Sequence, residues 1–172
     1  MPACGAVLLL ALAAGAADFA ISTTDGKQVL LSQYKGKAVV LAFILTYCSH
    51  CQAVTGYLIQ DQNEFGPRGL QVLASSIEDH PASAVPNFVR QFHPPFPVGF
   101  NTNREAVYNY LQHPSMLILK MPALVFIDRQ GVVRARYKGD SDFLNQDRMG
   151  ANIRRQIEEL LGDRKPAPEN KR

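Results

Sequence analysis

Apolar positions along the chain fall into two kinds of spacing that alternate. Ala38 to Leu45 is apolar at every position, the pattern of a strand buried on both faces, and it implies helices on both sides of a sheet. Gly69 to Ser76, with Leu70, Val72 and Leu73, and Ala123 to Ile127 read as further buried strands. Phe19 to Ile21 and Gln28 to Leu30 are short strands around the Asp25-Gly26 turn, a hairpin signal. Elsewhere the spacing is helical. Val54, Leu58 and Phe65 form a stripe that stops at Gly66-Pro67, and Met149, Ile153, Ile157, Leu160 and Leu161 recur until Gly162. Ser83 is expected to cap a helix through Phe92, with Pro86 in its first turn. Thr102 and Glu105 have the spacing of a capping box for a helix reaching about Leu111. His93 to Pro97 reads as an extended linker before a short strand at Val98 to Phe100, and a polar, Pro-containing connection through His113-Pro114 leads to Met121-Pro122. Asp128 to Gly131 has the residues of a four-residue turn, so Val132 to Tyr137 should pair antiparallel with the strand before it. The whole predicts an α/β domain: a central mixed β-sheet with helices on both faces and an N-terminal β-hairpin.

The two ends of the chain break this pattern. Residues 1–17 carry an apolar run from Ala6 to Ala14 followed by small residues that fit an Ala-x-Ala rule, and are expected to be a signal peptide; the run is too short to span a bilayer. Residues 163–172 are charged and Pro-containing, and are expected to form a disordered tail. Residues 18–162 are then the domain, and an extracytoplasmic location, periplasmic or secreted, follows from the leader. A composition of 47% hydrophobic and 19% charged residues fits one globular domain. The net charge of +3 comes without a stripe of Lys or Arg interleaved with aromatics, so nucleic-acid binding has no support. With the signal removed, no membrane span is expected, and the protein reads as a monomer.

Of the three cysteines, Cys4 lies in the leader, which leaves Cys48 and Cys51. They follow the buried strand directly and open a helical stripe. Two thiols three residues apart cannot staple distant parts of a fold; at a strand-to-helix junction they form a redox-active dithiol. Cys48 would open the helix, where the dipole and free N–H groups favour an anion, with Cys51 one turn further on and able to close a disulfide. No cofactor is implied. A structural zinc site needs four ligands and a second Cys pair is absent, so no metal is expected at the pair. His80, His93 and His113 stand in Pro-containing loops and read as turn residues.

Asp18-Phe19, Asp25-Gly26-Lys27, Leu31-Ser32, Gly36-Lys37, Cys48-Ser-His-Cys51, the stretch from Met121-Pro122 to Asp128, Gly131 and Gly139 together resemble the thioredoxin-like superfamily. More narrowly they resemble the redoxin group of TlpA-type thiol–disulfide oxidoreductases, which borders the peroxiredoxin-like AhpC/TSA proteins. The resemblance implies a thioredoxin-like fold and a protein-disulfide oxidoreductase in which Cys48 is the exposed nucleophile and Cys51 the resolving thiol. It further implies a cis peptide before Pro122, with the Met121 backbone pairing to the substrate chain. Thr46, Tyr47 and His50 flank the thiols and would tune their acidity; His50 occupies a place where strongly oxidising relatives also carry His. The partners implied are protein thiols or disulfides and a redox partner that recharges the pair.

The chain also departs from the pattern it resembles. Tyr47 replaces the usual Trp before the first Cys, Ala42 stands where thioredoxins bury an Asp, and Val54 and Gly56 stand where TlpA-type proteins often carry Glu and Pro. On this reading no carboxylate stands ready to take the Cys51 proton, and a relay through water, Thr46 or His50 is needed. Two other functions compete with this one. A peroxiredoxin-like peroxidase needs Thr three residues before its Cys and a Pro further upstream, whereas Thr46 is two before Cys48 and Val39 to Tyr47 holds no Pro. A Sco-like copper chaperone spaces its cysteines one residue wider, although Cys48, Cys51 and His113 could together hold Cu(I).

Overall fold

The computed structural model describes residues 18–162. The expected signal peptide at 1–17 and tail at 163–172 lie outside the described residues. The elements are β1 (Ala20–Ser22), β2 (Gln28–Leu30), β3 (Ala38–Ile44), α1 (Ser49–Phe65), β4 (Leu70–Ser76), α2 (Pro81–Phe92), β5 (Val98–Phe100), α3 (Arg104–Tyr110), β6 (Ala123–Ile127), β7 (Val133–Tyr137) and α4 (Met149–Leu161). The strands form one mixed sheet in the order β2-β1-β5-β4-β3-β6-β7. β3, β4 and β5 run parallel; β6 and β7 on one side and β1 and β2 on the other run antiparallel to their neighbours.

The continuous apolar run of β3 has the burial it calls for: all seven residues are buried. Val40, Ala42 and Ile44 face a core built with Val54, Leu58 and Phe65 of α1, Phe88 of α2 and Ile153 and Ile157 of α4. Val39, Leu41 and Phe43 face a second core with Phe19, Ile21, Val107 of α3 and Leu111. Helices therefore cover both faces. The expected turn after β6 also forms, because Asp128 Oδ1 accepts from the Gln130 and Val132 N–H groups at 2.9 Å each.

Two helix starts differ from expectation. α2 begins at Pro81, with His80 as N-cap in the left-handed region, so Pro86 lies inside the helix and not in its first turn. Pro81 takes the first helical position, where a missing N–H costs nothing. The Ser83 hydroxyl, expected as the cap, donates to the His80 carbonyl at 2.9 Å instead. Pro86 has no N–H to give the carbonyl four residues back, which belongs to exposed Ala82. In α3 the cap is Asn103, whose side chain accepts from the Ala106 N–H at 3.0 Å, so Thr102 and Glu105 form no capping box. Asn is at least as good a cap as Thr, and it lies one residue closer.

Where α1 meets α4, Asp61 is buried, with Arg154 Nη1 at 3.8 Å from Oδ1 and no hydrogen bond to Oδ2. Burial raises its pKa to about 6, only partly offset by Arg154, with Glu64 and Glu158 adding repulsion. A folded pKa above the unfolded value gives stability that is full below the unfolded pKa and lost as pH rises through about 6. Asp61→Asn is therefore expected to stabilise the protein by about 2 kcal/mol at pH 7.5 and by little near pH 4, checked by urea denaturation at both pH values.

Candidate functional site

β3 ends at Ile44, and the chain turns through Leu45, Thr46 and Tyr47 to Cys48, which is the N-cap of α1. The Cys48 Sγ accepts the Cys51 N–H at 3.4 Å, satisfying one of the free amides at the helix start. Cys48 is half-buried and Cys51 wholly buried, and both are free thiols. The Cys51 Sγ accepts the Leu45 N–H at 3.5 Å. Burial pushes the Cys51 thiol pKa up, and neighbouring Cys48 adds to the rise. The pair thus consists of one accessible sulfur on a helix N-terminus and one sulfur locked beneath it.

The flanking residues are held in different ways. The Thr46 carbonyl accepts from Gln52 Nε2 at 2.9 Å. His50 Nε2 donates to the Leu144 carbonyl at 2.9 Å; since a carbonyl only accepts, this nitrogen carries a proton and the ring is anchored. Tyr47 is 73% exposed. The Met121–Pro122 bond is cis. β6 pairs antiparallel with β3, Phe43 opposite Ala123, and this register carried one residue further sets Pro122 opposite Ile44, at the dithiol end of the sheet. Gly139 clamps the segment: its N–H donates to the Lys120 carbonyl at 2.9 Å, and its Cα packs directly on the Met121 carbonyl.

Two features went unread in the sequence. Glu78, just beyond β4, is buried and lies against Thr46: Oε2 accepts the Thr46 N–H at 2.6 Å and Oε1 the Thr46 hydroxyl at 2.8 Å. A buried carboxylate thus stands against the turn that precedes Cys48, at a position the motif comparison did not single out. β4 runs parallel to β3 with Ser76 beside Ile44, so residues just past Ser76 emerge next to the thiol-bearing turn. A Glu at the carboxyl end of a parallel strand, where such sheets gather their ligands, was the available signal. The second feature lies in the connection read as polar: Met116, Leu117 and Ile118 are 89%, 55% and 81% exposed. With Tyr47, Leu45 and Met121 they line a cavity of about 450 Å³.

His113 does not join the thiols. Its ring packs edge-on against Tyr108, with centroids 5.3 Å apart, and among the described residues no three His, Cys, Asp or Glu side chains converge as a metal-binding group. The Cu(I) set of Cys48, Cys51 and His113 is therefore not assembled. His80 and His93 lie at the two ends of α2, both in the left-handed region.

A model of the AhpC/TSA family matches residues 13–136. The thiol-disulfide oxidoreductase ResA of Bacillus subtilis (strain 168) is 30% identical over 118 residues, covering 69% of this chain and 62% of that protein. ResA of Bacillus thuringiensis subsp. konkukian is 29% identical over 125 residues, covering 73% and 68%. Among solved structures, a thiol:disulfide interchange protein of the thioredoxin family from Chlorobium tepidum shares the fold with a TM-score of 0.70 at 24% identity, covering 86% of this chain and 96% of that one. The thioredoxin domain of a thiol-disulfide oxidoreductase from Bacteroides vulgatus does so with a TM-score of 0.65 at 21% identity, covering 88% and 99%. With a dithiol at the strand-to-helix turn, a cis-proline at the same end of the sheet and these relatives, the chain belongs to the AhpC/TSA family, among its thioredoxin-like thiol–disulfide oxidoreductases.

Proposed function

We propose that the protein exchanges disulfides with protein thiols through Cys48-Ser-His-Cys51, outside the cytoplasm and as a monomer. The observation that carries this reading is the asymmetry of the pair. Cys48 is accessible at the start of α1, while Cys51 is buried beneath it with its thiol proton held tightly. A thiol attacks as its thiolate, and Cys48 is the sulfur of the pair that an incoming disulfide can reach. Cys48 thus opens the substrate disulfide and Cys51 resolves the mixed disulfide. Thr46, Tyr47 and His50 tune the pair in this reading, His50 from a ring anchored on the Leu144 carbonyl. The Met121 backbone, before Pro122, pairs with the substrate chain. An oxidising compartment suits the function, because there an oxidised dithiol persists. Turnover of insulin disulfides by the purified protein is the direct test; its absence would sink the reading.

The apolar collar supports a polypeptide substrate. Among the described residues the exposed large hydrophobics are Tyr47, Tyr57, Met116, Leu117 and Ile118, and all but Tyr57 line the cavity beside the dithiol. Large apolar side chains exposed together in this way mark an interaction surface. Met116→Ser with Ile118→Ser is expected to lower kcat/KM for insulin about tenfold, since losing burial of two such side chains costs roughly 1.5 kcal/mol or more. Glutathione disulfide, too small to reach the patch, should be turned over at the original rate. Equal turnover of insulin by the double variant and the parent would remove the collar from substrate binding.

A further inference from the structure

Resolution by Cys51 sets a chemical requirement. Its sulfur is wholly buried and burial pushes its thiol pKa up, so near neutrality it carries a proton that must leave before it attacks. Among the described residues three carboxylates are buried: Asp61, Glu78 and Asp128. Asp61 lies ten residues beyond Cys51 along α1, about 15 Å of helix, and faces Arg154. Asp128 follows β6 at the opposite end of the sheet and pairs with Arg134. Glu78 alone of the three emerges at the dithiol end.

Glu78 and the Cys51 thiol are anchored on one short segment of chain. Two consecutive backbone amides hold the two groups: Leu45 N–H donates to the Cys51 Sγ at 3.5 Å, and Thr46 N–H donates to Glu78 Oε2 at 2.6 Å. The Thr46 hydroxyl donates to Oε1 at 2.8 Å and the Ser76 hydroxyl to Oε2 at 3.1 Å. These three donors are uncharged, so they orient the carboxylate without neutralising it. Four lone-pair directions on a carboxylate leave room for a further proton donor.

We propose that Glu78 receives the Cys51 proton in the resolving step, carried past the Leu45–Thr46 segment by solvent water and the Thr46 hydroxyl, which already donates to the carboxylate. This rests on the dithiol reading above. In the mixed disulfide Cys48 is bonded to the substrate sulfur. The Cys51 proton passes through water and the Thr46 hydroxyl to Glu78, and the Cys51 Sγ attacks the Cys48 Sγ. The Cys48–Cys51 bond forms and the Cys48–substrate bond breaks, with the electron pair leaving on the substrate sulfur, which takes a proton from water. The protein dithiol is oxidised by two electrons and the substrate disulfide is reduced by two. The reverse direction uses protonated Glu78 to return the proton to Cys51.

The test separates the two chemical steps. Reduced full-length protein is mixed with glutathione disulfide, quenched with acid at intervals and analysed by mass spectrometry. Glu78→Gln keeps the volume and, with its amide turned, keeps hydrogen bonds to both Thr46 groups, but it cannot accept the proton. Formation of the Cys48–glutathione adduct should stay within about twofold of the parent, while its resolution slows by at least about tenfold, the lower end of what a positioned base supplies. The adduct mass should therefore accumulate. Thr46→Val, which leaves the carboxylate and its Thr46 amide bond in place, should slow resolution by a larger factor than adduct formation, and this ratio carries the test alone if Glu78→Gln does not fold by circular dichroism. Equal slowing of both steps would mean that Glu78 only braces the turn, and resolution at the parent rate would overturn the proposal outright. If the parent protein forms no Cys48 adduct, the dithiol reading itself fails.

Discussion

Cys51→Ser is expected to stop turnover and to accumulate a covalent adduct on Cys48, whereas Cys48→Ser should abolish turnover and leave no adduct. The difference follows from position. Cys48 stands at the surface as the N-cap of α1, and its sulfur already faces the helix amides. Cys51 is wholly buried against Leu45 N–H, with its thiol pushed up by burial, so it meets only a disulfide already formed on Cys48. A serine hydroxyl is a far weaker nucleophile than a thiolate, and each substitution should lower insulin turnover on the order of 10³-fold or more. In the parent protein, brief treatment with iodoacetamide at neutral pH should label Cys48 alone. Peptide mass spectrometry reads both results, and an adduct found on Cys51 in either experiment would reverse the assigned roles.

Gly139→Ala is expected to damage stability and activity together, although the residue lies far from the thiols in sequence. Gly139 sits just after β7 with its Cα against the Met121 carbonyl, and an added methyl group would overlap that backbone, which has no flexible side chain to give way. The relief available is to push the Lys120–Met121 segment away and stretch the Gly139 N–H bond to Lys120. Overpacking of this kind costs about 1–3 kcal/mol. Displacement of the segment that carries Met121 and Pro122 should lower turnover on the order of 10²-fold, the cost of about 1 Å of misplacement at a reacting site. Gly131→Ala is the contrast. Gly131 has φ of +80° in the turn after β6, with open space around it, so its Ala variant should lose about 1 kcal/mol from backbone strain and keep full activity. Thermal unfolding and insulin turnover measured on both variants check the pair, and an active, stable Gly139→Ala protein would show that the clamp on Met121 is dispensable.

The elements of the fold were legible where a local rule and the tertiary environment agree. β3 could be recognised because a strand buried on both faces has no polar side to hide. Helix starts were less legible. Both Ser83 and Thr102 are competent caps by residue type, but α2 starts three residues earlier, with His80 as cap and Pro81 at the first helical position, and α3 one residue later on Asn103; a cap is worth only about 1 kcal/mol, too little to fix the start from sequence. The exposed Met116–Ile118 stretch was hidden for another reason: short apolar runs are normally buried, and only the finished surface reveals one that is not.

By itself the sequence determined what depends on near neighbours along the chain: the alternation of strands and helices, the hairpin at Asp25-Gly26, and a Cys-x-x-Cys pair where a buried strand gives way to a helix. These follow from side-chain periodicity and turn chemistry, which act over a few residues. Tertiary structure decided what the pair is surrounded by. The parallel register of β3 with β4 carries Glu78 to Thr46, thirty-two residues away in sequence, while the antiparallel register with β6 carries Met121-Pro122 to the same end. His113, equally available in composition, is taken instead into a contact with Tyr108. Strand pairing over long sequence separations is fixed by burial of both sheet faces at once, and so no stretch of sequence read alone could say which carboxylate lies beside the dithiol.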